Sequence, residues 1–231
     1  MSTHADIMII SPHADDAEFG AAGSVAVWTQ SGKKVIYVIC TNGDKGTTDR
    51  NVDPKQLTEQ RKLEQKKAAD LLGVKDVVFL GFPDQGLEDN DDFRKKIVKR
   101  IREFRPHTVV TTDPYRKYLW HRDHRITGQV VLDAVYPYAR DHLSYPDLIG
   151  EGLEPHKVRE VLFWAAENIN YRINISNTFE QKISSLYCHE SQMKEMKNFN
   201  PKEWCRQNCE KMAAKEKYKL AEGFHRIVLP G

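Results

Sequence analysis

Short runs of aliphatic and β-branched residues alternate along this chain with longer amphipathic stretches. That alternation constrains the fold more than any other feature. Ile7 to Ile10, Val35 to Cys40, Val77 to Leu80 and Val109 to Thr112 are continuous or nearly continuous apolar runs, as expected of strands buried on both faces. Helical patterns fall between and after them: about Ala21 to Gln30 closed by Gly32, Leu57 to Leu72 closed by Gly73, Asp91 to Phe104 halted before Pro106, and about His124 to Tyr136. Strand and helix alternating at this spacing require crossover connections. The spacing therefore predicts an α/β, Rossmann-like, doubly wound fold with a mainly parallel sheet and helices on both faces. Ligands of such folds bind outside the carboxyl ends of the strands, so the residues after Ile10, Cys40, Leu80 and Thr112 are the ones to search.

The second half is less regular. Val161 to Ala165 and Tyr171 to Ile175 read as strands, Phe179 to Cys188 and roughly Pro201 to Leu220 as helices, and Pro137 to Pro155 as a long connection. No repeat, low-complexity tract or Gly/Ser/Pro-rich linker divides the chain, so residues 1–231 are expected to form a single domain. A net charge of +2, with basic residues interleaved among acids, excludes a strong nucleic-acid footprint. No run approaches the roughly 20 apolar residues of a membrane span, and no basic stretch followed by an apolar one marks a signal peptide. The four cysteines, Cys40, Cys188, Cys205 and Cys209, form no CxxC pair and read as reduced thiols of a cytoplasmic protein.

The first apolar run leads into Ser11-Pro12-His13-Ala14-Asp15-Asp16-Ala17-Glu18. Three carboxylates this close repel one another, and a divalent cation would compensate them, with His13 and Asp16 offering one nitrogen and one oxygen ligand. A carboxylate here could instead cap the following helix, a role open to either Asp15 or Asp16. The fourth run leads to Trp120-His121-Arg122-Asp123-His124-Arg125, a second His/Asp cluster after a strand of the same sheet. Together the two clusters supply two histidines and a carboxylate, leaving one position open for water, as in a catalytic zinc site.

These motifs resemble the LmbE-like, or PIG-L-like, family of zinc-dependent de-N-acetylases. The first motif is His13-Ala14-Asp15-Asp16-Ala17-Glu18-Phe19-Gly20, with Ala14 where the family usually has Pro, and the second is His121-Arg122-Asp123-His124. Arg61-Lys62-Leu63-Glu64, Ala68-Ala69-Asp70-Leu71-Leu72-Gly73, Phe79-Leu80-Gly81-Phe82-Pro83-Asp84 and Cys188-His189-Glu190-Ser191-Gln192 also look like family segments. The Asp-Asp-x-Glu placement is nearest the diacetylchitobiose deacetylase branch. The resemblance implies one Zn2+ per subunit on His13, Asp16 and His124, and Asp15 as general base. It further implies that His121 stabilises the oxyanion while Asp123 orients an imidazole. Arg61 is a candidate to touch substrate or steady the carboxylates, the alternative being a surface ion pair with Glu64. His225 is a candidate to bind a sugar hydroxyl in a neighbouring site, the alternative being a tail anchored on its own subunit by Phe224 and Ile227. The implied partners are a small amino-sugar substrate and further copies of the chain, as a trimer or hexamer.

The expected activity is removal of an N-acetyl group from an N-acetylglucosamine compound. Two readings compete with it: deacetylation of a thiol-linked N-acetylglucosamine of the mycothiol or bacillithiol precursor type, and a non-enzymatic metal-binding module. A nucleotide-binding protein is excluded, because the first turn carries acids where a GxGxxG would be needed.

Overall fold

The computed structural model describes residues 4–196 and 199–230. Seven strands, β1 (Ile7–Ser11), β2 (Val35–Thr41), β3 (Asp76–Phe82), β4 (Thr108–Thr112), β5 (Glu160–Trp164), β6 (Tyr171–Asn174) and β7 (Ala221–Val228), make one sheet in the order β3-β2-β1-β4-β5-β7-β6. The first five are parallel, while β7 runs antiparallel to both β5 and β6. The α-helices are α1 (Asp16–Gln30), α2 (Pro54–Leu72), α3 (Asp91–Phe104), α4 (Arg122–Asp133), α5 (Pro146–Gly150), α6 (Phe179–Tyr187), α7 (Glu190–Glu195) and α8 (Pro201–Ala213), and a π-helical turn, Ala134–Tyr138, follows α4.

The continuous apolar runs are explained by two cores. Alternate residues of a strand face opposite sides of a sheet. Ile7 and Ile9 of β1 join Tyr37 and Ile39 of β2 beneath α1, α2, α6 and α8. Met8 and Ile10 join Ile36, Val38 and Cys40 beneath α3 and α4. Helix boundaries follow local chemistry. Asp53 caps α2 by accepting from Lys55 N–H at 3.0 Å, and Gly73 closes it at φ 74°. Asn90 caps α3 by accepting from Phe93 N–H at 3.0 Å.

Three expectations are corrected. Helix α1 begins at Asp16, not near Ala21, so the acidic motif occupies its N-terminus. The helix expected to run to Leu220 ends at Ala213, and the segment from Ala221 is strand β7, inserted between β5 and β6. The connection from Pro137 to Pro155 contains α5.

The sheet order places the site. From β1 the chain builds outward through β2 and β3, then returns to lay β4 on the other side of β1. The C-terminal ends of β1 and β4 thus flank the topological switch point, where doubly wound sheets open a crevice. Both His/Asp motifs follow these two strands.

Candidate active site

Asp15 occupies the N-cap position of α1 in a left-handed conformation, φ 94° and ψ −30°, and its side chain makes no capping bond. Left-handed backbone at a non-glycine residue costs about 1–3 kcal/mol and is concentrated at functional sites. Asp16 accepts the His13 backbone N–H at 3.1 Å. Capping of α1 therefore does not account for the Asp15 carboxylate.

Asp16 Oδ2 lies 3.0 Å from His13 Nδ1 and 3.2 Å from His124 Nε2. Ligand atoms about 2.0–2.1 Å from a tetrahedral zinc are about 3.3 Å apart, so these spacings suit a shared cation. His121 completes the group: its ring centroid is 4.7 Å from that of His13 and 5.0 Å from that of His124. One nitrogen from each of the three histidines lies within 4.8 Å of the other two. On the far edge of its ring, His13 Nε2 is 3.2 Å from Asp123 Oδ2. Asp84 Oδ1 comes within 3.0 Å of the same nitrogen without forming a directed hydrogen bond. Asp123 is itself fixed by the N–H groups of Gln85 and Leu87, at 2.7 and 3.3 Å.

Both His13 nitrogens thus face carboxylates, which only the doubly protonated ring can satisfy. Burial opposes that charge, but Asp123, Asp16 and Asp84 outweigh it and hold the His13 pKa well above its usual value. The same pairing keeps Asp16 well below the carboxylate range, against its burial, through His124 and His13. Asp84 and Asp123 are lowered too, burial again opposing and His13 prevailing. Burial, followed by His13 and His124, lowers His121. Burial pushes Asp15 up to about 6, with Arg61 pulling the other way. Three carboxylates against one imidazolium leave an excess of negative charge. A cation on His13 Nδ1 and Asp16 Oδ2 would replace one of the His13 protons and offset that excess, so this donor set fits a divalent metal ion.

A cavity of about 540 Å³ opens beside the cluster, walled by Asp16, His121, His124, Trp120 and Trp164 among others. Arg61 is buried outside this wall. It donates to the carbonyls of Ala14 and Gly43 at 2.6 and 3.2 Å, and its guanidinium is 3.6 Å from Asp15 Oδ2. It lies against the Asp15 carboxylate, and it forms neither the surface pair with Glu64 nor part of the cavity. Glu64 instead accepts from Ser191 N–H and Oγ–H. His225 also lies outside the wall, with Nδ1 2.7 Å from the Asn168 carbonyl. Phe224 is buried and Ile227 packs on the core. Asp84, Glu18, Gln65 and His189 had no assigned role. Asp84 follows β3, at the strand end where ligands are expected, which was the available signal.

Fold and site together define an α/β protein with a metal-competent His/Asp cluster at the switch point of a doubly wound sheet. The family model described as PIG-L, GlcNAc-PI de-N-acetylase, matches residues 8–135, and the chain belongs to that family. It is 38% identical over 189 residues to a diacetylchitobiose deacetylase of Thermococcus kodakarensis, covering 82% of this chain and 70% of the relative. A probable N-acetyl-alpha-D-glucosaminyl L-malate deacetylase 2 of Bacillus cereus is 30% identical over 195 residues, covering 82% and 84%. The solved N,N'-diacetylchitobiose deacetylase from Pyrococcus horikoshii superposes with a TM-score of 0.91 at 28% identity, covering 97% of this chain and 84% of that one. The family read from the motifs is the family found.

Proposed function

We propose that this protein is a zinc-dependent hydrolase that removes the N-acetyl group from a compound containing N-acetylglucosamine. The observation that carries the reading is Asp16 Oδ2 held between His13 Nδ1 and His124 Nε2, at 3.0 and 3.2 Å, beside Asp15 and an open cavity. His13, Asp16 and His124 would hold one zinc ion per subunit. When bound, the ion supplies Lewis acidity toward water and the amide carbonyl.

Asp15 takes the proton of the attacking water as the water oxygen bonds to the acetyl carbon. It returns that proton to the sugar nitrogen as the C–N bond breaks, releasing acetate and the free amine. A carboxyl raised to about 6 is a better proton acceptor than an ordinary aspartate and is still mostly ionised at neutral pH. His121 is neutral there, its pKa lowered by burial, and donates one N–H to the carbonyl oxygen as charge builds. Asp123 orients His13 from Nε2, leaving Nδ1 for the ion. Arg61 acts on Asp15 and not on substrate.

The two relatives whose names specify diacetylchitobiose deacetylation favour a chitobiose-type sugar over a thiol-linked one. The single continuous sheet supports one domain over residues 1–231. The four free thiols support a reducing, cytoplasmic compartment. Among the described residues no helix is long and apolar enough to cross a membrane. Tyr118 and Trp120, 99% and 92% exposed near the cavity, support association of copies into a homo-oligomer such as a trimer or hexamer.

The test is amine release by zinc-loaded protein from N-acetylglucosamine, diacetylchitobiose and a thiol-linked N-acetylglucosamine. Release from the first two alone supports the reading. Release from the thiol conjugate alone moves the substrate to that class, and release from none removes the enzymatic reading.

A further inference from the structure

Asp15, at φ 94°, is held by bonds from its own helix α1 and by one from α2. Its N–H donates to Gln65 Oε1 at 3.3 Å, while its carbonyl accepts from Glu18 and Phe19 N–H at 3.0 and 3.1 Å. Gln65, fully buried in α2, donates through Nε2 to Glu18 Oε1 at 3.0 Å. Its neighbours dictate the orientation of this amide. Reversed, its NH2 would meet the Asp15 N–H and its oxygen would meet the Glu18 carboxylate. Glu18 Oε2 lies 3.2 Å from His189 Nε2, and both residues are fully buried. His189 precedes α7, which is docked on α2 by the bonds from Ser191 to Glu64. Three buried side chains, from the start of α7, α1 and α2, therefore form a chain, His189 to Glu18 to Gln65, that ends on one backbone N–H. None of them belongs to the cavity wall.

We infer that Gln65, aligned by Glu18 and His189, is a positioning residue that clamps Asp15 in the left-handed conformation and so keeps its carboxylate off the end of α1 and available as base. In the extended conformation usual at this position, an aspartate turns its carboxylate onto the N–H of the second or third helical residue. Here the clamp occupies the backbone and the carboxylate lies beside Arg61 instead. Without Gln65 the buried Asp15 N–H loses its acceptor, and the cost of the left-handed backbone then favours relaxation out of that region. The inference rests on the proposed role of Asp15.

The test uses zinc-loaded full-length variants. Displacing a reacting group by about 1 Å costs on the order of 100-fold, so Gln65→Leu is expected to lower kcat by about 10- to 100-fold, with KM within about twofold. Bound zinc should be unchanged. Gln65→Glu keeps an oxygen for the Asp15 N–H but sets it against Glu18, and should also lower kcat. Adding Glu18→Gln restores a donor opposite an acceptor and should bring kcat back to within about threefold of native, a non-additivity expected only of a coupled pair. An unchanged kcat in Gln65→Leu, a loss that follows bound zinc, or an exchange no better than the single variant would overturn the inference. A crystal structure of Gln65→Leu reads the clamp without turnover: Asp15 should leave the left-handed region, and φ still near 94° would overturn it. If native protein releases no amine from any N-acetylated sugar, the functional reading fails, while that structure still decides the clamp.

Discussion

Helix α1 touches two buried ionic clusters. In the one it shares with α6 and β7, Lys182 Nζ is 2.6 Å from Glu222 Oε1 and donates to the carbonyls of Glu18 and Phe19. The same carboxylate accepts from Gly23 and Ser24 N–H at 3.0 and 2.7 Å. All three ammonium protons have acceptors and the charges cancel. In the other, Asp15, Asp16, Asp84 and Asp123 gather near His13, and Arg61 is the only lysine or arginine ion-paired with any of the four carboxylates among the described residues. Both clusters are withdrawn from water, where unpaired charge is costly. The first closes on itself and holds α1 to α6 and β7. The second would close if a cation were added, which would separate a binding site from a structural ion pair.

Removing a ligand from the open cluster should have the largest effect. Asp16→Ala or His124→Ala should lower amine release by about 10³-fold or more, because the electrostatic and proton-transfer contributions each amount to 10²–10⁴. Melting temperature should hardly change. An active Asp16→Ala protein would show that the acidic cluster is structural after all.

The closed cluster should respond in the opposite sense. Lys182→Met leaves Glu222 buried and unpaired, at a cost of about 3–5 kcal/mol. At about 2–4 °C per kcal/mol for a chain of this size, the melting temperature should fall by roughly 6–20 °C. Adding Glu222→Gln removes the stranded charge, keeps an acceptor for one of the Gly23 and Ser24 N–H groups, and should recover part of that loss. A Lys182→Met protein with native melting behaviour would erase the contrast between the clusters.

The sequence shows the two clusters unequally. His13, Asp15, Asp16, His121, Asp123 and His124 were legible because each motif is contiguous and follows an apolar strand run. The sheet then joins the motifs across the switch point. Lys182 and Glu222 stand 40 positions apart, and each alone reads as an ordinary surface charge, so their pairing emerges only in three dimensions. Asp84 and His189 lie in segments that resembled the family, yet neither had a visible partner until the chain folded. Strand β7 escaped notice because its exposed positions, such as Arg226 and Val228, break clean alternation. The start of α1 was misplaced because acids favoured at a helix N-terminus are also acids favoured around a metal.

Smaller effects sharpen the comparison. Asp123→Asn keeps the shape of the residue that orients His13 but weakens its pull, and should weaken zinc binding by about 10- to 100-fold. Zinc titration by competition with a chelating dye measures this directly, and unchanged affinity would show that Asp123 serves only Gln85 and Leu87. The pH profile is the mildest probe. In the proposed mechanism Asp15 works as the carboxylate, so the rate should fall as pH drops through its pKa. Burial pushes that value up to about 6, and a bound cation would add to the opposing pull of Arg61. The acidic half-maximum should therefore lie at or below about pH 6. An acidic limb centred well above pH 7 would assign the titration to another group.

On the proposed reading, the open cluster needs a cation both to close and to act. The most direct measurement is zinc content and amine release on one sample of full-length protein, before chelation, after chelation, and after zinc is returned. One zinc per chain, activity lost with the ion and restored on its return, and no binding by Asp16→Ala would bear the claim out. Undiminished amine release from zinc-free protein, or one tightly held zinc per chain in Asp16→Ala, would contradict it.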